Sequence, residues 1–544
     1  MDTGTPTKRA NAATLPDGNV STRASTVVDS DAALLARLGY KQELKRVFTP
    51  AEIFGLAFSF ICPYPAIVAV LGFALPDGGP VGLVWGWAVS AVFVMFIALA
   101  LAELGSALPT SGGLYFWTYT YASPRWRRLL SWLVGYSNTI AYIAAISATD
   151  WACATEILAG ASIGSRMAFT PTLHQTYGVF AAVIMCHAFI ASLASSVVAR
   201  LQNFGMVLNI TLCLAIIIAL PAATPKEFRN SPSFAFGGFD NLYGWPNGWA
   251  FIMGFLAPLF TIAGFDAPVH MSEEASNAAT AVPWAIVISS ALAGVFGWGI
   301  NVALAFCMGT DIQGIMSNPI GQPVATVFFN SFGQRGSLVF VSFAIITQFL
   351  IGANIVIVTS RLTFAFSRDG ALPFSSVLYR LHPRTNTPVN CVLASACGAL
   401  LLGLLALGGP SASSAIFSLG VAGLYVAWCI PIASRFLGGE KWVPGPFSLG
   451  WWGKPVAAIA VAWMSFAMVV FAFPTAPTPT GANMNYMIVV LGGWISLCLG
   501  YYYCPVYGGI HWFEGPRANI QNEELTEDGI GGTGDLQDAE KMSL

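Results

Sequence analysis

The chain has 544 residues, of which 56% are hydrophobic and 9% charged, where an ordinary soluble domain carries about 25% charged residues; mean hydropathy is +0.67. That composition leaves a soluble surface undressed, and it is the reverse of the low-hydrophobicity, high-charge composition that keeps a chain disordered. With 24 Lys and Arg against 26 Asp and Glu, the concentrated basic face of a nucleic-acid binder is missing, so nucleic acid is not an expected partner and a polytopic membrane protein remains.

Residues 1–46 are rich in Ser, Thr, Asp and Ala and read as a disordered tail. No short apolar core with a small-residue cleavage site marks a signal peptide there. Twelve apolar segments follow, at about 50–74, 81–102, 129–157, 177–199, 203–222, 248–269, 283–308, 337–364, 388–407, 414–435, 456–473 and 486–504. Roughly 20 apolar residues suffice to cross the ~30 Å hydrocarbon core as a helix. Runs of this length are too long for the alternating strands of a membrane barrel. Residues 506–544 form a second, acidic tail. The ten cysteines lie mostly within apolar runs and show no CxxC spacing, so they read as small packing residues.

The positive charges test the segment count. If every segment crosses and the N-terminus is cytosolic, 20 of the 24 Lys and Arg fall inside; only Arg166, Lys226, Arg229 and Arg335 fall outside. Without the tails the asymmetry is still eleven to four. The positive-inside rule therefore supports twelve crossings with both termini in the cytosol.

Two segments carry helix breakers at mid-membrane. The first contains Cys62-Pro63-Tyr64-Pro65, and each proline removes a backbone donor and clashes with the preceding turn. Local unwinding is expected there. The sixth is interrupted by Pro258, Gly264 and Pro268, and Asp266 brings a carboxylate into or near the bilayer. Broken backbone at this depth is tolerated only where it is buried in protein or lines a cavity. The two breaks stand five segments apart, and corresponding breaks in two halves point to a secondary transporter with a site at the repeat interface.

Three stretches carry a family resemblance. They are Ala102-Glu103-Leu104-Gly105-Ser106-Ala107-Leu108-Pro109-Thr110-Ser111-Gly112-Gly113 after the second segment, Gly264-Phe265-Asp266-Ala267-Pro268-Val269-His270-Met271-Ser272-Glu273-Glu274 after the sixth, and Ser367-Arg368-Asp369-Gly370-Ala371-Leu372-Pro373 with Thr387-Pro388 after the eighth. On these motifs residues 45–505 resemble the amino acid–polyamine–organocation superfamily, above all its fungal amino acid/choline branch of GABA and choline permeases. The resemblance implies an all-α membrane fold of twelve helices. A five-plus-five inverted repeat would occupy 47–222 and 247–437 around an extracellular loop at 223–246, followed by two further helices in 438–505. It also implies alternating access, a substrate site between segments one, three, six, eight and ten, and residence in the plasma membrane, with the vacuolar membrane as the alternative. The cargo would be a small amine or amino acid: GABA, choline, a polyamine or a neutral amino acid.

The broken helices supply the chemistry of such a site. Half-helix N-termini present free N–H groups and partial positive charge to a carboxylate, and the opposing ends offer carbonyls to an ammonium. The candidate binding residues are Ile61, Cys62 and Tyr64 at the first break, and Phe260, Thr261, Ala263, Gly264, Phe265 and Asp266 at the second. Tyr64, Phe260 and Phe265 could face a quaternary ammonium, a contact worth ~2 kcal/mol when dry. Asp266 could anchor a hinge, meet an amine or relay a proton. Glu103 reads as an inner-gate residue, and Glu273 and Glu274 as gate or loop-pairing acids with Arg368 or Arg361. Asp150 and Glu156 are placed near the outer end of the third segment, reaching interfacial water. Asn138, Tyr142, Gln348 and Asn354 read as interhelical hydrogen-bonding points.

The coupling ion expected from the fungal branch is a proton. Bacterial relatives place a lysine in the fifth segment, but here no Lys or Arg lies between Arg200 and Lys226, and Asn209 is the clearest polar residue. A sodium site using first-segment carbonyls with Ser342 or Thr347 stays open. No metal or organic cofactor is expected: His174, His187, His270, His382 and His511 show no HxxxH or HExxH spacing, which also argues against an enzyme. No charged ring or repeated filter marks a channel. A transporter-like nutrient sensor that binds without carrying remains the alternative.

Overall fold

The computed structural model describes residues 31–193, 195–480 and 484–519. Among these the only strand-like features are two isolated bridges, Phe48–Ala275 and Asp77–Asn241. The principal helices are α1 (Pro50–Ile61), α2 (Pro63–Ala74), α3 (Trp87–Ala107), α4 (Gly113–Tyr121), α5 (Arg127–Gly164), α6 (Leu173–Ala191), α7 (Ser195–Ala223), α8 (Asn247–Met253), α9 (Leu256–Thr261), α10 (Ala278–Cys307), α11 (Pro323–Arg368), α12 (Val389–Gly403), α13 (Pro410–Leu437), α14 (Gly453–Val470) and α15 (Met487–Tyr502). Ten helices among the described residues are long and apolar enough to cross a membrane, and Asn247–Thr261 and Met487–Tyr502 are shorter apolar helices. Each of the twelve apolar segments overlaps one or more of these helices.

Two boundaries differ from expectation. The fourth segment was placed at 177–199, but α6 ends at Ala191, where the Ser192 hydroxyl turns back to the Ala188 carbonyl at 2.7 Å. Residues 195–199 therefore open the next helix. The α11 segment is two helices meeting at Gly333, whose φ of 68° is outside helical space; only the part after that joint matches the eighth apolar segment.

Expected disorder does not extend to residues 31–46. Residues 31–37 are helical, Val47 and Phe48 N–H both donate to the Glu274 carbonyl at 3.0 Å, and Ser276 N–H donates to Phe48 O at 2.9 Å. Their apolar residues Leu35, Tyr40 and Leu44 are buried, which explains why a polar segment is nevertheless held. The second tail is likewise anchored near its start: Trp512 and Phe513 pack on Trp132, and Asn519 N–H donates to Gly39 O at 3.0 Å. Residues 1–30 and 520–544 of the expected tails lie outside the described residues.

α5 runs through the middle of the bundle, packed along α13, α11, α6 and α12, while α10 packs along α3 and α1. Lipid gives no hydrophobic drive for helices to associate, so close backbone approach through small residues does the work. A Cβ at Gly423 of α13 would lie 2.9 Å from that of Ala141 on α5. At Gly297 of α10 it would lie 1.8 Å from the Trp87 ring, whose indole N–H donates to the Gly294 carbonyl at 2.9 Å. Gly297→Ala therefore forces the indole out of place, and thermal unfolding of the purified protein should show a loss of about 1–3 kcal/mol.

Candidate functional site

The first break is confined to a single residue. α1 ends at Ile61, Cys62 takes left-handed φ and ψ of 38° and 75°, and α2 resumes at Pro63. Proline is well suited to the first turn of a helix, so Pro63 and Pro65 start the second half-helix, and the local unwinding expected there is confined to Cys62. They have no N–H to give, however, so carbonyls at the end of α1 lose their helical donors. Holding a non-glycine residue at this φ costs about 1–2 kcal/mol, and the tight packing around the buried Cys62 offsets it.

The second break is longer. α9 ends at Thr261, Gly264 has φ of 78°, and helical geometry returns as one turn at Ala267–His270 followed by a 3-10 turn at Ser272–Glu274. Pro258, expected to interrupt, lies instead in the first turn of α9, where its missing N–H has no helical partner to lose. Pro268 similarly sits in the first turn of Ala267–His270. The discontinuity itself belongs to Gly264. A Cβ there would lie 1.9 Å from Cε1 of Phe60, so the two broken segments touch, ring against backbone.

Between them lies a cavity of about 40 Å³. Its wall includes Phe60 and Ile61 of α1, Tyr142 and Thr149 of α5, Phe260, Thr261, Ala263 and Gly264 at the second break, Gln348 of α11, and Gly420 of α13. Five of the expected binding residues, Ile61, Phe260, Thr261, Ala263 and Gly264, are in that wall, and four are not. Cys62 is the joint itself. Tyr64 donates its hydroxyl to the Phe340 carbonyl at 2.7 Å, and Phe265 packs on Trp428 at 4.7 Å between ring centroids. Asp266 accepts from the Tyr142 hydroxyl and from the Trp428 indole, each at 2.9 Å, with His270 Nε2 3.8 Å away. Its lone pairs hold α5 and α13 to the break. The resemblance implies a wall from segment ten, which is α13, but the sequence reading names no residue on it, because Gly420 carries no polar signal. It took Tyr142 and Gln348 for interhelical bonds, which they also make: Gln348 donates to Thr149 O at 3.2 Å.

Comparison with known proteins decides what this architecture belongs to. Residues 48–494 match the family model described as amino acid permease. The chain belongs to the amino acid permease family. It is 38% identical to a GABA-specific permease of Saccharomyces cerevisiae over 92% of this chain and 88% of the relative. An amino-acid permease of Schizosaccharomyces pombe is 36% identical over 93% and 92%, and one of Arabidopsis thaliana is 33% identical over 91% and 98%. The protein is an integral membrane transporter of amino acids, not an enzyme.

Toward the tails, the permease closes in buried ion pairs. Glu273 takes two hydrogen bonds from the Arg368 guanidinium, at 2.9 and 3.0 Å, and one from Ser111 N–H at 3.1 Å. Burial alone would raise the Glu273 pKa, but Arg368 and these bonds outweigh it and hold the carboxyl below its usual range. Glu274 pairs with Arg361 at 2.8 Å. Glu103 accepts from Arg435, from the Ser448 hydroxyl at 3.1 Å and from Leu449 N–H at 3.0 Å, tying the end of α3 to α13. Asp369, just past α11, is pushed up to about 6 by burial, against the lowering effect of Arg368 and of hydrogen bonds from Tyr115, Arg517 N–H and Tyr40.

The acids expected at the outer interface are not there. Asp150 and Glu156 are 0% and 1% exposed, because α5 continues to Gly164 and places Glu156 about 12 Å inside its end. Asp150 faces His187 Nδ1 at 3.1 Å. Asn138 contacts His270 Nε2 at 3.2 Å, the interhelical link expected of it.

Gly264→Ala meets both the Phe60 ring and an unfavourable φ. It should lower the unfolding temperature of the detergent-solubilised permease, and Phe60→Leu should offset part of that loss, with a coupling of about 0.5–3 kcal/mol in a double-mutant cycle. Arg368→Ala strands Glu273 as a buried charge and should cost about 3–5 kcal/mol. Replacing the pair together, Arg368→Met with Glu273→Leu, should return the unfolding temperature close to that of the wild type.

Proposed function

We propose that this permease carries a small zwitterionic amino acid, with GABA the leading candidate, by alternating access in symport with a proton. Twelve crossings would form a five-plus-five inverted repeat, 47–222 and 247–437, with two helices in 438–505 and both termini in the cytosol, in a plasma-membrane setting. The observation that carries this reading is the contact of two broken helices at Phe60 and Gly264 around a cavity walled by segments one, three, six, eight and ten. The similarity to the GABA-specific permease of Saccharomyces cerevisiae, at 38% identity, supports the cargo class.

The wall also narrows the substrate. No charged side chain lines the cavity among the described residues. Burying an uncompensated charge is costly, which disfavours a polyamine with several ammonium groups and no carboxylate. A zwitterion can place its carboxylate at half-helix N–H groups and its ammonium at carbonyls and the Thr149, Thr261 and Gln348 side chains. Choline would keep Phe60, Tyr142 and Phe260 as ring contacts but leave the N–H groups without an anion. At about 40 Å³ the cavity holds only a few waters, so loading requires the wall to open, as alternating access demands. Glu103, Glu273, Glu274 and Arg368 would form the inner gate.

Uptake into proteoliposomes tests the reading. Radiolabelled GABA should be concentrated, with neutral amino acids competing better than choline or spermidine. Binding without flux would support the sensor alternative. Gly420→Leu, which fills the cavity from α13, should reduce uptake severely while leaving the protein folded; wild-type transport by that variant would displace the site.

A further inference from the structure

Glu156 is a buried carboxyl that neither the fold nor the site accounts for. It is 1% exposed, and neither of its oxygens has a hydrogen-bond partner among the described residues. Most other buried acids are engaged: Asp266 by Tyr142 and Trp428, Asp150 by His187, and Glu273, Glu274 and Glu103 by arginines. Asp77, between α2 and α3, also has an oxygen without a partner among the described residues, but it is on neither α5 nor the cavity wall. An ionised carboxylate without donor or cation is among the most costly groups to bury. In this conformation Glu156 is therefore a carboxylic acid holding its proton.

Its position gives that proton a use. Tyr142, Thr149 and Glu156 recur every seven residues along α5, so they share one face of the helix with only a slight drift. The first two line the cavity, and Glu156 lies about 10 Å beyond Thr149, away from the tails. There it is close enough to Cys62 and Tyr64 to act on both electrostatically. It thus flanks the joint at which α2 departs from α1. The titratable groups it acts on are Cys62, Tyr64 and Cys153 of its own helix, and Cys213 of α7 acts in turn on the first two. Asp150, with its His187 partner on α6, is nearly two turns away along α5. α11 brings no charged side chain between the exposed Arg335 and Arg361, and α13 no titratable one before Tyr425.

We propose that Glu156 is the proton-carrying group of the transport cycle. This rests on the symport reading above. When α2 swings about Cys62 and opens the cavity away from the tails, water reaches Glu156 and its carboxylate takes one proton from that side. The substrate enters the same opening. With substrate bound, closure of α2 dries the carboxyl and is permitted only in the neutral form, so proton and substrate are occluded together. Opening toward the tails re-wets the group, and the O–H proton leaves to water on that side. The emptied carrier returns with the carboxylate ionised and hydrated by water in the vacated cavity, so the proton is not carried back, and each cycle moves one proton and one zwitterion, hence one positive charge.

The test uses the full-length permease in proteoliposomes loaded with pyranine, with radiolabelled GABA and alanine together as the probe. At one proton per substrate and with the membrane potential held at zero by valinomycin and equal potassium on both sides, an outside-acid gradient of about one pH unit should sustain about tenfold accumulation by the wild type, with acidification of the lumen. Glu156→Gln, the mimic of the neutral acid, should lose both the gradient response and the acidification while keeping counterflow exchange. Asp150→Asn should keep the gradient response. Acidification by Glu156→Gln at the wild-type proton-to-substrate ratio would overturn the assignment and leave symport standing. Accumulation by the wild type without proton entry would overturn symport itself, and the assignment with it. If Glu156→Gln does not survive purification, Glu156→Asp serves in its place: a displaced half-maximal external pH supports the assignment, and an unchanged profile overturns it.

Discussion

A backbone group released from a helix inside a membrane has no water to bond, and that constraint organises the centre of this protein. It explains why the two interruptions are adjacent. Phe60 can press onto the second break only because Gly264 has no side chain, and Gly264 can hold its φ of 78° for the same reason. Asp266 extends the logic: placed just beyond the break, it accepts from Tyr142 on α5 and Trp428 on α13. One carboxylate thereby fixes the discontinuous segment to the two most intimately packed helices of the bundle.

The same economy of position appears toward the tails, where the turn Ser272–Glu274 receives almost everything. Glu273 and Glu274 take arginines from α11, the Glu274 carbonyl takes both Val47 and Phe48 N–H, and Gln42 donates to the Glu273 carbonyl at 2.9 Å. Tyr40 places its ring 4.0 Å from the Arg368 guanidinium and its hydroxyl 3.1 Å from Asp369. Movement of the second break is therefore mechanically continuous with the ordered ends of both tails.

Much of this was legible in the residues. Apolar run length located the helices, and the breakers located the two interruptions, because both signals are local. The pairing of Glu273 and Glu274 with Arg368 and Arg361 was also foreseeable, since buried opposite charges must meet. What was not legible depended on three-dimensional packing. Pro258 and Pro63 look like breakers in a sequence, yet proline in a first turn is compatible with a helix, and whether a turn is first depends on what precedes it. Asp150 and Glu156 looked interfacial because the apolar run ends near 157, whereas the helix continues through Gly160 to Gly164 on small residues. Residues 31–46 looked disordered because a few apolar anchors, Leu35, Tyr40 and Leu44, are outweighed in composition by polar neighbours.

The distribution of charge gives the conformation a direction. Four arginine–carboxylate pairs among the described residues are buried on the tail side, and separating any of them strands a charge in a poor dielectric. Among the described residues no arginine or lysine pairs with a carboxylate between the cavity and the opposite face; the groups there include Tyr64 on a carbonyl, the Asp150–His187 pair, Asp77 beyond the end of α2 and the unpaired Glu156. Opening toward the tails must therefore break strong, specific contacts, whereas opening the other way mainly parts apolar surfaces around α2. A substrate entering from that face needs to supply little, and its binding free energy can be directed to the harder step. That step is favoured only if the occluded pocket is neutral as a whole, because any net charge sealed inside would oppose closure. A zwitterion beside a protonated carboxyl satisfies this condition, and a wall without charged side chains leaves nothing else to balance.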